Sequence, residues 1–356
     1  MKSKKISPNF EDLQISTCTI VVYSNVELNL KSVFKSFPVK LLRDVPLTKK
    51  KKNVDKAKIK AQDGDIISCR WGDYLRGIQL KIERFWCVVC CPVTVKKYGK
   101  KVYPKTVHKT YEPYKRDIKK AIYTCKLCHN VIPTKNLGKI PDFLNQITLV
   151  MYLKGRFLNI MIFKNKFKMV GFKDEMDSVY VINTLFKTTL TKKSLWSSID
   201  GEHPLYIFFT AMKNFDFKLG FPIDVISLNN VMNKEEYDHM IFMCQRESAR
   251  GSSVNIKFYT EQPDDYRYTA LTYKNDQPII SFLRENILKK TPTKKKYITF
   301  IVFSSSEVIL SGRYKDMRDA YNFFLECIQN NKSEILERIT EPKFDLSSLK
   351  LELGIK

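Results

Sequence analysis

Apolar positions in this chain recur first every second residue and then every third or fourth, and the same arrangement is written twice. In Tyr297–Gln329 an apolar, aromatic and β-branched run, Tyr297–Phe303, meets a serine turn, Ser304–Ser306. A second run, Val308–Leu310, closes on Ser311-Gly312, and runs of this kind bounded by turn residues predict a β-hairpin. Met317, Ala320, Tyr321, Phe324, Leu325 and Ile328 follow at helical spacing and predict an amphipathic helix. Phe157–Leu190 repeats the pattern, with its turn at Lys164-Asn165-Lys166 and a helix face of Val179, Ile182, Phe186 and Leu190. Phe163 and Phe303 end the first strand of each copy, and Gly171 and Gly312 end the second. A unit present twice marks an internal repeat.

The flanking segments extend the repeat. Ile15–Tyr23 predicts a strand with Ile15, Thr17, Thr19, Val21 and Tyr23 on one face. Leu28–Phe37 predicts a short helix with Leu30, Val33 and Phe34 inward, and Lys154-Gly155 turns the strand Ile147–Leu153 into the first hairpin. In the second half, Leu205–Met212, Phe215–Leu219 and Thr269–Tyr273 are strand-like, and Phe221–Leu228 begins a short helix. Residues 191–204 read as linker and Asn275–Thr293 as a polar insertion. Leu28 aligns with Phe221 and Gly171 with Gly312, so the first half carries 52 extra residues. The expected layout is a disordered start at 1–14, then repeat one at 15–46 and 140–191, interrupted by an insertion at 47–139. Repeat two follows at 192–340, with a tail at 341–356.

Charge singles out the insertion. The chain of 356 residues has a net charge of +25, which fits an acidic partner such as nucleic acid. Abundant Lys, Asn, Ile, Phe and Tyr also match A/T-rich codon usage, so part of the load reflects composition. Leu47–Lys139 holds 24 Lys and Arg against 7 Asp and Glu, including the lysine run Thr48–Lys60, read as an exposed loop. The start MKSKKISPNFEDLQ has no apolar core, and no apolar run is long enough to span a bilayer. An intracellular, soluble, monomeric protein without membrane contact is expected.

The same segment holds two C-x-x-C pairs, Cys87–Cys90 and Cys125–Cys128, separated by 34 residues. Each pair brings two sulfurs to one tight turn, and four thiolates are what a tetrahedral structural Zn2+ site requires. Cys91 and His129 flank the pairs as alternative ligands, while Cys69 and His108 lack a partner at ligand spacing. Buried free thiols are the bland alternative, and a redox dithiol would need a βαβ context that is missing.

The repeated hairpin and helix, with FSSSEVILSG at Phe303–Gly312, resembles the TATA-binding protein family. FPIDVISL (Phe221–Leu228) and LNLKSV (Leu28–Val33) match the short helices opening each half, and MYLKGRFLNIMIF (Met151–Phe163) matches a strand pair in length. The resemblance covers about 240 residues outside the insertion. With the A/T-driven composition it looks like the diverged versions found in large nucleocytoplasmic DNA viruses, which would place the protein in a host virus factory, virion or nucleus. It implies an α+β fold in which two pseudo-symmetric repeats form a curved antiparallel sheet, a saddle with helices on its convex back and the cysteine-rich insertion added. The concave face of such a saddle lies in the minor groove of A/T-rich duplex DNA, where phenylalanine wedges unstack base steps. Carried over by position, wedges fall on Phe163 and Phe303, with partner positions at Tyr268 and Gln146. Thr17 and Met212 take the base-reading positions, and Met161, Lys168, Ile301, Ile309 and Ser311 fall on the groove face. Gln146, Met212 and Lys168 depart from the family pattern; Phe143 is the nearest aromatic to Gln146.

The implied function is a transcription initiation factor that bends promoter DNA and recruits RNA polymerase or a general factor. The alternative is a non-catalytic protein-interaction or virion scaffold that keeps the fold. An enzyme is not expected, because His108, His129, His203 and His239 are scattered without paired acids or a nucleophile motif.

Overall fold

The computed structural model describes residues 8–42, 60–80, 83–90, 95–97, 100–102, 106–137, 144–246, 253–260, 268–284, 287, 297–313 and 317–336. Nearly all of the lysine run, Cys91, Phe143 and the expected tail lie outside them. Antiparallel sheet dominates, with few helices. Two compact units divide the chain: residues 15–214 with 263–294, and residues 1–14 with 215–262 and 295–356.

The larger unit begins with β1 (Ile15–Ser24), β2 (Val26–Leu28) and α1 (Leu30–Ser36). The expected insertion contributes β3 (Ile66–Trp71), β4 (Tyr74–Gly77), β5 (Arg84–Phe85), β6 (Val95–Lys97), β7 (Lys100–Val102), β8 (Val107–Lys115) and β9 (Ile118–Cys125). Then come β10 (Ile147–Leu153), β11 (Arg156–Ile162), β12 (Lys166–Phe172), α2 (Met176–Leu185), β13 (Trp196–Ile199) and the first part of β14 (Leu205–Lys218). Its sheet runs β14-β1-β12-β11-β10-β3-β4-β9-β8-β5. The segment expected as an insertion therefore starts inside the sheet, with β3 paired antiparallel to β10. Residues 191–204, expected as linker, include β13, which pairs with β2.

One face of this sheet is packed and the other is open. Along β1, Cys18, Ile20, Val22 and Ser24 are buried, whereas Thr17, Val21 and Tyr23 are half-exposed. The buried set joins Leu149, Met151, Ile160, Ile162, Phe167 and Met169 against Val181, Ile182 and Leu185 of α2. Alternation of this kind is what a sheet covered on one side dictates. Lys154 and Gly155, at φ 46° and 75°, make the two-residue β10–β11 turn whose twist suits a hairpin.

The smaller unit takes the end of β14 and adds α3 (Val225–Val231), β15 (Ile241–Arg246) and β16 (Ser253–Tyr259). Between its segments, β17 (Tyr268–Lys274) and β18 (Gln277–Leu283) form a hairpin of the larger unit, turned by Asn275 and Asp276 at positive φ. The smaller unit resumes with β19 (Tyr297–Phe303), β20 (Glu307–Gly312), α4 (Met317–Asn330) and α5 (Lys332–Ile335). Its strand order is β14-β20-β19-β16-β15. Phe324 of α4 stacks on Phe300 of β19 at 4.4 Å, beside buried Val254, Ile256, Phe258 and Leu310. Asn275–Thr293 was expected as a polar insertion, and Gln277–Leu283 within it is instead a strand, because the Asn275-Asp276 turn folds it back on β17.

Helix α3 starts at an Asp224 cap, whose Oδ1 accepts from the Ile226 N–H at 2.9 Å and whose Oδ2 accepts from Ser227 Oγ at 2.9 Å. The Ile226 N–H, with Ser227, holds the Asp224 carboxyl below its ordinary pKa. Its contribution to stability is thus complete above the ordinary carboxylate value and is lost as pH falls through the lower folded value. Asp224→Ala is expected to cost about 1 kcal/mol near neutrality and almost nothing in strong acid. Urea unfolding of both proteins at the two pH values checks this.

Candidate metal centre and open sheet faces

The strands deliver the four expected cysteines to one place. Phe85 of β5 pairs with Val107 of β8, and Val107 pairs with Cys125 at the end of β9, so each pair of thiols leaves the same end of the large sheet. Backbone bonds tie the two turns down: Val88 N–H donates to Asn136 O at 3.1 Å, and Lys126 N–H donates to Thr106 O at 3.0 Å. His129 follows the second turn with φ 55° and is exposed; it lies outside the cluster of four. Phe85, Val107, Ala121, Tyr123, Ile132 and Leu137 form a small core around Cys87 and Cys125.

The sulfurs of Cys87, Cys90, Cys125 and Cys128 all lie within 4.8 Å of one another, and Cys90 Sγ and Cys125 Sγ are 3.4 Å apart. A tetrahedron with bonds of about 2.3 Å has edges of about 3.8 Å, so the set is the right size for one metal ion. Burial alone would push the Cys125 thiol up. The N–H groups of Cys128 and Leu127, with Cys90 and Thr106, outweigh it and hold the pKa down to about 6. A thiolate is therefore the favoured form there at neutral pH, as ligation requires. Four cysteines of this geometry can bind a metal ion.

A half-buried ion network ties β8 to β3 within the sheet. Glu83 accepts from Arg70 of β3 through Oε1 and from Lys109 of β8 through Oε2, the latter at 2.9 Å. The Lys109 side chain has no exposure, and its ammonium lies 5.2 Å from the Tyr111 ring, 5.8 Å from Tyr123 and 5.9 Å from Phe85. Burial would push the Glu83 carboxyl up, but Arg70 and Lys109 hold it below its ordinary value. Gly77, at φ 82°, ends β4 where the chain turns onto the open side. Ile78 then packs with Leu42, Ala61, Leu80 and Phe157, and Phe157 belongs to the open face of β11. The module thus covers the outer part of that face.

The rest of the face is organised by register. Val21 pairs with Lys168, Lys168 with Met161, Met161 with Thr148 and Thr148 with Arg70, which makes one row across five strands. Thr19, Val170, Asn159, Val150 and Ser68 make the next, in which Thr19, Val150 and Ser68 are buried. The structure therefore brings Lys168 and Met161 onto one surface with Val21, and Thr17 is half-exposed further along β1. Phe163 stands at the end of β11, its N–H donating to Lys166 O at 2.7 Å and its ring 5.0 Å below the Lys166 ammonium. Gln146 is half-buried and directly precedes Ile147, which pairs with Ile162.

In the smaller unit Ser311 pairs with Thr299, and Ile309 with Ile301, which in turn pairs with Asn255. Ile301, Ile309, Ser311 and Phe303 are all half-exposed. Directly across from Phe303 is Ser253. Tyr268 pairs with Leu283 in the larger unit's β17–β18 hairpin. β15 and β16 were missed by sequence reasoning, although Val254, Ile256 and Phe258 alternate as a strand should. Met212 is exposed within β14.

No family model matches the chain, and no curated protein matches it. One solved structure to which it is similar is Methanococcus jannaschii TBP, at 14% identity and a TM-score of 0.30, over 51% of this chain and 78% of that one. A superposition that loose carries no argument about function. Among the described residues no helix is long and apolar enough to cross a membrane.

Proposed function

We propose that this chain is a TATA-binding-protein-like initiation factor that grips A/T-rich duplex DNA through its two open sheet faces. Each unit orders five strands the same way: β1-β12-β11-β10-β3 in one and β14-β20-β19-β16-β15 in the other. In each, a phenylalanine stands where the first hairpin strand ends, beside half-exposed apolar and hydroxyl side chains. That matched pair of faces is the observation that carries the reading. A chain of net charge +25 with half-exposed Val21, Met161, Ile301 and Ile309 suits the minor groove, where sugars take apolar contact and phosphates take charge. The metal is zinc in this reading, and RNA polymerase or a general factor docks elsewhere on the chain. The role is binding, without catalysis.

A scaffold function is the second reading. It is favoured by the covering of the larger unit's outer face by Ile78 and Leu80, which leaves less surface for a duplex.

An A/T-rich duplex labelled at both ends tests the choice. Energy transfer between the labels is expected to rise on binding. Phe163→Ala/Phe303→Ala is expected to remove the rise and weaken binding roughly 10- to 100-fold, the worth of one or two buried aromatic side chains. Unaltered energy transfer and affinity in that variant would sink the wedge assignment.

A further inference from the structure

The two C-x-x-C turns carry apolar side chains that the fold leaves outside. Val88 and Val89, between the first two cysteines, are 42% and 63% exposed. Leu127 of the second turn is 62% exposed, and Val131 just beyond it is 68% exposed. None of the four belongs to the small core around Cys87 and Cys125. The two turns abut, because their four sulfurs lie within 4.8 Å of one another. A bridge holds Val131 beside Thr124 near the end of β9, at the same end of the module. Single aliphatic side chains on a surface are ordinary, whereas a group of them on one tip with a polar rim marks an interaction surface. That rim is of one sign: Lys126 and Lys135 are exposed, and no Asp or Glu occurs from Arg84 to Tyr111 or from Ile118 to Pro141. Nucleobases stack on aromatic rings, and none of the four side chains is aromatic, so the group suits the apolar side chains of a protein.

We infer that Val88, Val89, Leu127 and Val131, at the tips of the two cysteine turns, form a docking surface for an acidic amphipathic segment of a partner protein. Leucine or phenylalanine side chains of the segment cover the aliphatic group, and its carboxylates face Lys126 and Lys135. The inference rests on the reading above only for the expectation that a protein partner exists. Apolar burial supplies most of the affinity, while the lysines set the orientation and speed of encounter and select against basic partners.

The probe is an end-blocked fluorescent peptide in which leucine and phenylalanine alternate with glutamate, titrated with the full chain and followed by anisotropy. Two control peptides carry lysine in place of glutamate, or serine in place of the apolar residues. The first peptide is expected to bind, and each control to bind at least roughly 10-fold more weakly. V89S/L127S/V131S is expected to lose roughly 10- to 100-fold in affinity for the first peptide and to keep its metal content, since the three side chains are exposed. K126E/K135E leaves the aliphatic group intact and is expected to lose roughly 5- to 10-fold at low salt and little at high salt. If the triple serine variant binds less metal, the charge variant carries the test. Unchanged affinity in a variant that retains its metal overturns the inference, as does equal binding of the serine-substituted peptide. Self-association of the chain that the triple variant abolishes also overturns it, because the occupant is then a second copy. An A/T-rich duplex that displaces the peptide at equal concentration overturns it as well, by making the surface a nucleic-acid contact. Should the full chain fail to bend the duplex while the peptide differences persist, the wedge reading fails and the docking surface stands.

Discussion

Cys125→Ser is expected to lower bound metal from about one ion per chain to near none and to loosen the small core beside it. Cys125 is wholly buried, closes β9, and has the thiol whose surroundings favour the charged form. Removing a group that merely supports a ligand costs 10- to 100-fold in metal affinity, and removing the ligand itself should exceed that. Serine keeps the volume but offers a hydroxyl that stays protonated, so three thiolates remain around a missing vertex. Phe85, Val107, Tyr123 and Leu137 pack directly around the site, so its loss should also reach the aromatic surroundings of Lys109. Metal analysis by mass spectrometry, with tryptophan emission from Trp86 as a second signal, checks both effects. Full metal occupancy in the serine variant would show that another group completes the site.

Gly77→Ala is expected to be among the most damaging single substitutions outside the metal centre. Gly77 has φ 82°, and a Cβ there would lie 2.3 Å from Ile67 O and 2.8 Å from Val39 Cγ1. Left-handed backbone alone costs an alanine about 1–2 kcal/mol, and a clash with a main-chain oxygen must shift the β3–β4 pairing itself. A loss of about 3 kcal/mol or more is expected, or roughly 6–12 °C in Tm for a unit of this size. Gly155 provides the control, with φ 75° and nothing within 4 Å of its Cβ position. Gly155→Ala should cost only the strain of about 1–2 kcal/mol. Thermal unfolding of the two variants side by side decides the matter, and equal Tm shifts would refute the contact argument.

Local pattern made part of this molecule legible. The Lys154-Gly155 turn, the helix faces of α2 and α4 and the two C-x-x-C turns follow from residues within a few positions of one another. What local pattern does not encode is register between distant segments, since the two-residue side-chain period is indifferent to which strand becomes the neighbour. Tyr268, a partner position only by the resemblance, lies in the β17–β18 hairpin, and the strand beside β19 is β16, which places Ser253 across from Phe303. Ile66–Trp71 looked like the start of a separate module because lysines precede it, yet β3 pairs with β10 some 80 residues later. The Arg70–Glu83–Lys109 network had no linear signature, since the three groups come from two strands and a loop and are brought together only by folding.

The pairing of β3 with β10 has a kinetic consequence. Seventy-five residues, Gly72 to Gln146, lie between those two strands, and they hold the whole cysteine module. Contacts between distant segments close late because the loop entropy must be overcome first, whereas the adjacent strands β8 and β9 form early. The module is therefore expected to begin folding as a local excursion that shortens the path from β3 to β10. Refolding with a metal ion added is expected to proceed faster at that step than refolding with a chelator, because an ion held by the four cysteines would shorten the path from β3 to β10.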